Sequence, residues 1–177
     1  MRTPRRVACR LLLLVGLLAS ACAQAGWQAD LPHARQVGSA EFTTWGLHIY
    51  TARLWSAAPR FNVQQAFALE IVYHRAVSRE RLVSISLDEM QRLAGTALGA
   101  TQRARWQAQM QQAFVDVAPG TRLTGVFLPG LGCRFYVGER LQHEVRDEVF
   151  ARAFFAIWLS PRSRYPELRQ QLIGASP

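Results

Sequence analysis

Lysine is missing from the sequence altogether, and all 21 basic residues are arginine. Schiff-base catalysis and lysine general-base chemistry are thereby excluded, and the positive charge sits on side chains that stay protonated in practice. Asparagine is nearly absent as well, Asn62 being the single example. Cysteine is scarce. Of Cys9, Cys22 and Cys133 only the last lies in the body of the chain, so no internal disulfide framework is available and the domain must be held by its core. No apolar run reaches the ~20 residues needed to span a bilayer. The longest, Leu11 to Leu18, falls well short.

That short run has its own meaning. Arg2, Arg5, Arg6 and Arg10 precede it, and Ala19-Ser20-Ala21-Cys22-Ala23-Gln24-Ala25 follows. A positive segment, an apolar segment and a small-residue A-x-A region together predict a removable signal peptide over residues 1–23, with cleavage after Ala25 as an alternative. Lipoprotein processing at Cys22 fits less well, because Ala19 stands where a lipobox prefers Leu. The expected compartment is therefore the periplasm or the exterior, with no membrane span after cleavage. Loss of residues 1–23 removes four arginines and no acid, so the formal charge falls from +9 to +5. The remaining arginines are spread from Arg35 to Arg169 with acids between them, which reads as a solvated surface rather than a nucleic-acid interface.

The remainder, residues 26–177, reads as one domain without repeats or linkers. A short strand is expected near Arg35 to Val37. Glu41 to Trp55, rich in Thr, Trp, Ile and Tyr, predicts one long strand or two joined at Gly46. Alternation places Phe42, Thr44, His48, Tyr50 and Leu54 on one face and Trp45, Leu47 and Ile49 on the other; with both faces partly apolar, a central strand is expected. Phe67 to Tyr73 is a further strand. At Ser78 the period changes to three and four, predicting a capped amphipathic helix to Leu93 that ends at Gly95. A second helix is expected from Thr101 to Val115, where Trp106, Met110 and Phe114 form a core stripe.

Turn signals at Pro119-Gly120, Pro129-Gly130 and Gly138-Glu139 then separate three strands, Thr121 to Leu128, Cys133 to Val137 and Arg140 to Val145, in the spacing of a meander. A helix from Asp147 to Leu159 is expected to bury Val149, Phe150, Phe154, Ile157 and Trp158, and Pro161 stops it. A short helix from Pro166 to Ile173 closes the chain. Strands, helices, strands and helices in that order predict an α+β fold, an antiparallel sheet with helices packed on one face. Any apolar ligand belongs in a cleft between the two layers.

Four stretches in order resemble the bacterial branch of the chalcone isomerase-like family. They are Trp45-Gly46-Leu47-His48-Ile49-Tyr50-Thr51-Ala52-Arg53-Leu54-Trp55, then Ala68 to Tyr73 with the helix at Ser78, then Pro129-Gly130-Leu131-Gly132 with Phe135-Tyr136-Val137-Gly138, and lastly Phe150 to Pro161. The resemblance covers about Leu31 to Ile173 and implies the same sheet-and-helix layers with a ligand cleft between them. Plant members of the family cyclise chalcones to flavanones, and others bind fatty acids. The cyclase relies on an Arg from an early strand and on Tyr, Lys and Asn near the first long helix. Here the early-strand position falls near Phe42 or Thr43. No Tyr lies between Tyr73 and Tyr136, and Arg79 to Ser84 shares none of those polar groups.

The resemblance therefore implies a non-catalytic domain that holds a small apolar or amphipathic ligand, such as a fatty acid, with no cofactor. Tyr50, His48 and Tyr73 are the candidate polar contacts, with Arg53 as a nearby charge. Two alternatives stay open: an intramolecular lyase or isomerase with a different residue set, and an interaction protein whose cleft is filled by Phe42, Trp45, Trp106 and Phe154. Arg79 or Arg81 could substitute as a cleft cation. Other chemistries lack their residues. His33, His48, His74 and His143 are dispersed without metal-ligand spacing, no G-x-S-x-G is present, and Asp88 and Glu89 point to different sides as solvated charges. Cys133 alternates with apolar neighbours and reads as a buried, inert thiol.

Overall fold

The computed structural model describes residues 26–174. The predicted leader, its cut sites and Cys22 lie outside the described residues. A one-turn 3-10 helix, Trp27–Ala29, precedes six strands: β1 (Arg35–Thr44), β2 (Leu47–Ser56), β3 (Phe67–Tyr73), β4 (Arg122–Leu128), β5 (Gly132–Val137) and β6 (Arg140–Val145). They form one antiparallel sheet in chain order. Helices α1 (Arg79–Ala94) and α2 (Ala100–Ala113) are inserted between β3 and β4, which still pair directly. Helices α3 (Glu148–Leu159) and α4 (Pro166–Leu172) follow β6.

All four helices contribute to one apolar layer against Phe67, Leu69, Ile71, Tyr73, Phe127 and Phe135 of the sheet. This is the expected α+β fold. Aromatic edges dominate the core: Phe155 meets Phe67 at 4.9 Å and Phe154 meets Phe135 at 5.1 Å, both edge-on, an arrangement that the ring quadrupoles favour. The opposite face of the sheet is partly roofed by Trp27 and Leu31, which pack on Ala68, Val126 and Tyr136.

Local chemistry explains the helix limits. Ser78 Oγ accepts from the Arg81 amide at 3.2 Å, and Asp147 Oδ1 accepts from the Phe150 amide at 3.0 Å, each satisfying a free donor of the first turn. Gly95 ends α1 in the left-handed region, φ 72°, where a Cβ is costly. Asp147 also receives Trp106 Nε1 at 3.3 Å and Arg105 at 3.0 Å. One carboxylate thus caps α3 and ties α2 to it.

Several expectations are corrected. Of the two forms expected for Glu41 to Trp55, the structure has two strands joined at Gly46, with β2 central as expected but β1 on the sheet edge and continuous from Arg35 through Thr44. The apolar residues that suggested two buried faces, Trp45 and Leu47, sit at the exposed tip of this hairpin. Ile49 is an extra residue between the pairs Phe42 with Tyr50 and Thr43 with His48. This bulge breaks the alternation, so His48 leaves the face that holds Tyr50. In α3 the buried stripe is Phe150, Ala151, Phe154, Phe155 and Leu159, which turns Val149 to solvent at 64 % exposure. Glu89 is not solvated either. Its side chain is 13 % exposed, pairs with Arg92, and accepts from Arg164 at 2.7 Å.

Candidate functional site

Tyr50 on β2 and Tyr73 on β3 are register partners on the helix-facing side of the sheet, with ring centroids 6.1 Å apart and edge-on. They stand there because the even positions of β2 and the odd positions of β3 turn inward. Phe42 stacks on Tyr50 at 4.9 Å, and Tyr165 closes edge-on over Phe42 at 4.8 Å. From the helix layer Trp158 reaches the sheet, its Nε1 donating to Tyr50 Oη at 3.1 Å. This hydrogen bond joins α3 to β2 at the boundary between two spaces.

Behind it lies an apolar cavity of about 50 Å³ walled by Tyr73, Leu82, Ser86, Phe114, Phe154 and Trp158. In front lies a groove of about 430 Å³ with Tyr50 and Trp158 at its base and Arg81, Ile85, Arg164 and Tyr165 along its sides. Trp158 and its partner Tyr50 separate the two. Phe154 fills part of the cleft, whereas Trp106 packs edge-on against Phe150 at 5.8 Å between α2 and α3. Trp45 fills nothing, being 95 % exposed.

Electrostatics fix what these groups can do. Burial pushes the phenols of Tyr50 and Tyr73 well above the usual tyrosine range, because a phenolate would lose its hydration. Both remain protonated. Each is a hydrogen-bond donor, and neither can act as a phenolate base at neutral pH. Glu89, at the groove wall, is held below the usual carboxylate range first by the hydrogen bond from Arg92 and further by that from Arg164. Arg164 is therefore already engaged. The Arg81 guanidinium is exposed and has no hydrogen-bond or ion-pair partner among the described residues, so it is the cation of this groove available to an incoming anion.

The other two candidate residues lie on the opposite face. Arg53 Nη1 donates to Glu70 Oε1 at 2.9 Å, and Glu70 is 6 % exposed. His48 stacks on His74 at 4.1 Å, and its Nε2 is 3.8 Å from Glu41. The four residues therefore divide into two pairs, and only Tyr50 and Tyr73 reach the cleft. Trp158 was visible in the sequence as an apolar residue of α3, but its bond to Tyr50 depends on contacts between distant segments. Arg164 and Tyr165, just past Pro161, had no periodicity to reveal them. A larger open trough of about 820 Å³ runs between the Ala58 to Gln65 loop and the end of α3; Arg169 there is spent on the Leu159 carbonyl at 2.8 Å. Cys133 is 1 % exposed and its thiol is pushed up by burial. No group of three or more His, Cys, Asp or Glu able to hold a metal occurs among the described residues.

Comparison with known proteins bears on the family and the fold. A family model described as chalcone isomerase-like matches residues 45–174. A Haemophilus influenzae protein described as uncharacterized is 28 % identical over 147 residues, covering 82 % of this chain and 71 % of that one. Among solved structures, the Arabidopsis thaliana fatty-acid binding protein AtFAP1 superposes with a TM-score of 0.60 at 8 % identity, covering 81 % of this chain and 88 % of that one. At that identity the superposition speaks to the fold alone.

Proposed function

Because the chain belongs to the chalcone isomerase-like family, we propose that it is a non-catalytic binding domain for a small amphipathic ligand such as a fatty acid. The carrying observation is the arrangement around Trp158: an apolar cavity behind it, a groove with an available cation before it, and two neutral phenols between. The ligand's head lies in the groove near Arg81 and Tyr50, and its tail passes inward. A cavity of about 50 Å³ is far below the ~300–1,000 Å³ of ordinary ligand pockets. The tail therefore enters by displacing the Trp158 indole, which is held by its hydrogen bond to Tyr50 and by an edge-on contact with Phe154 at 5.4 Å. The fold shared with a fatty-acid binding protein supports this reading.

The leader-like start of the sequence supports a place for this domain in the bacterial envelope, reached by export and cleavage after Ala23 or Ala25. Amino-terminal sequencing of the protein from a periplasmic extract tests this, and an intact residue 1 in the soluble cytoplasm would overturn it. Ligand binding is tested by native mass spectrometry of protein purified from its own host, before and after adding medium- and long-chain fatty acids. A bound mass of acyl-chain size is expected, weakened in Arg81→Gln, which removes the cation of the groove, and retained in Trp158→Phe, which shrinks the ring that the tail must displace. Apo protein with no shift on adding fatty acids would remove the proposal.

A further inference from the structure

The β1–β2 hairpin ends in a two-residue turn, Trp45-Gly46, with φ values of 53° and 72°. A turn with both central residues left-handed favours Asn-Gly, since a side chain larger than Asn or Asp is disfavoured at its first position. This chain places tryptophan there, 95 % exposed, with Leu47 beside it at 47 %. The residue is unfavourable to folding twice over: it strains the backbone and leaves a large apolar ring in water. Neither cost is offset by any packing in the fold. Strain and exposed apolar area at one residue point to a contact made with something else.

The register shows what surrounds the tip. β3 ends at Tyr73 opposite Tyr50, and His74 after it still donates to the Ile49 carbonyl and stacks on His48, so it is the tip, Trp45 to Leu47, that extends past the neighbouring chain. Arg75 follows β3, Arg122 opens β4, and Arg81 lies in the first turn of α1, so all three are at this end of the molecule. None has an ion-pair partner among the described residues. Of the acids at the same end, Glu80 is held by Arg79 and Asp116 accepts the Arg79 amide, Glu41 lies against His48, and Glu139 remains.

We propose that this end of the sheet docks on an anionic phospholipid surface, with Trp45 and Leu47 as the interfacial anchor and Arg75, Arg81 and Arg122 as headgroup contacts. Tryptophan suits the boundary between water and acyl chains because its ring is apolar and its N–H polar. A projecting tip also fits a membrane better than a protein partner. A stable protein interface takes about 800 Å² per side, far more than two side chains on a turn provide. Arg81 also lines the groove in front of Trp158, so docking would bring that groove to the lipid surface. The docking itself does not rest on the ligand proposed for the cleft.

The test is co-sedimentation of the purified protein with vesicles of phosphatidylcholine alone and of phosphatidylcholine with one quarter phosphatidylglycerol. Binding is expected for the anionic vesicles, falling with added salt as exposed charges are screened, and little for the neutral ones. Trp45→Asn suits the turn geometry, so it should fold with an unchanged or higher melting temperature while losing tenfold or more in vesicle binding. Each of Arg75→Gln and Arg122→Gln should weaken anionic binding by roughly fivefold, the worth of one arginine near such a surface. Quenching of tryptophan emission by brominated lipid should appear in the parent and vanish in Trp45→Asn. Absence of vesicle binding, or equal binding by Trp45→Asn, would overturn the proposal; so would Trp45-dependent dimerisation without vesicle binding, which would make the tip a protein contact.

Discussion

Among single residues, Glu70 carries the clearest energetic consequence. It lies 6 % exposed on the face of the sheet away from the helices, and its one charged partner among the described residues is Arg53, 2.9 Å away on the neighbouring strand. Removing the partner of a buried charge leaves that charge without compensation, at about 3–5 kcal/mol for a fully buried pair. The Arg53 side chain is 37 % exposed, so water takes over part of its role and the cost drops to roughly 1–2 kcal/mol. Arg53→Met should lower stability in urea denaturation by that amount, and adding Glu70→Leu should restore most of it. A double variant no better than the single one would show that Glu70 does not need its arginine. Alternation along β2 and β3 made Tyr50 and Tyr73 legible as cleft residues. It failed for His48 because a bulge depends on the pairing of two strands and has no mark in either one. Arg53 was legible as a charge near the site, but the strand period itself puts it on the other face.

Elements were easier to read where they end on local chemistry. Ser78, Gly95 and Asp147 act on their own first or last turns, so both long helices bounded by them were placed within a residue or two. The hairpin was harder, since an exposed Trp45 and Leu47 look in sequence like residues of a buried face. Docking between elements left its clearest trace in a glycine on the edge strand. At Gly38 on β1 a Cβ would stand 2.1 Å from the Gln171 carbonyl oxygen and 2.5 Å from that of Leu172. Both atoms belong to the backbone of α4, and neither can turn aside as a side chain would. Gly38→Ala should therefore separate α4 from the edge strand and cost at least ~2 kcal/mol, in the class of overpacking and strain effects. Hydrogen exchange would locate the damage, with early loss of protection expected in Arg169 to Leu172. Unchanged protection there, with an unchanged melting temperature, would mean that β1 shifts to admit the methyl group at no cost.

For the molecule as a whole, pH and charge decide two outcomes. Glu89 and Glu144 are both held below the usual carboxylate range, Glu89 first by Arg92 and Glu144 first by Arg146. A depressed folded-state pKa contributes stability that is present above the unfolded value, ~4.3 for Glu, and is lost as pH falls through the folded one. Stability should thus be flat near neutrality and decline below about pH 4.3, and Glu89→Gln should flatten that decline; an equal decline in the variant would assign it to other acids. The second outcome concerns chemistry, where fold and residues disagree. The chain has the layers of a family that includes cyclases, yet the phenols of the cleft cannot serve as bases: Tyr50 and Tyr73 are kept protonated by burial, the Glu89 carboxylate is held by Arg92 and Arg164, and no lysine exists. Chalcone closure occurs unaided in water, so an enzyme must orient the phenolate and stabilise the developing enolate. Loss of one preorganised donor commonly costs ~10²-fold or more, and the family resemblance implies that the cyclase's Arg, Tyr, Lys and Asn have no counterparts in this chain. Arg81 alone could face an oxyanion, but a guanidinium does not give up a proton at neutral pH. Naringenin chalcone should therefore cyclise at the spontaneous rate, to racemic product, in the presence of this protein. Stereoselective flavanone formation that disappears in Arg81→Ala would show instead that one arginine at the groove mouth is enough to make this cleft a cyclase.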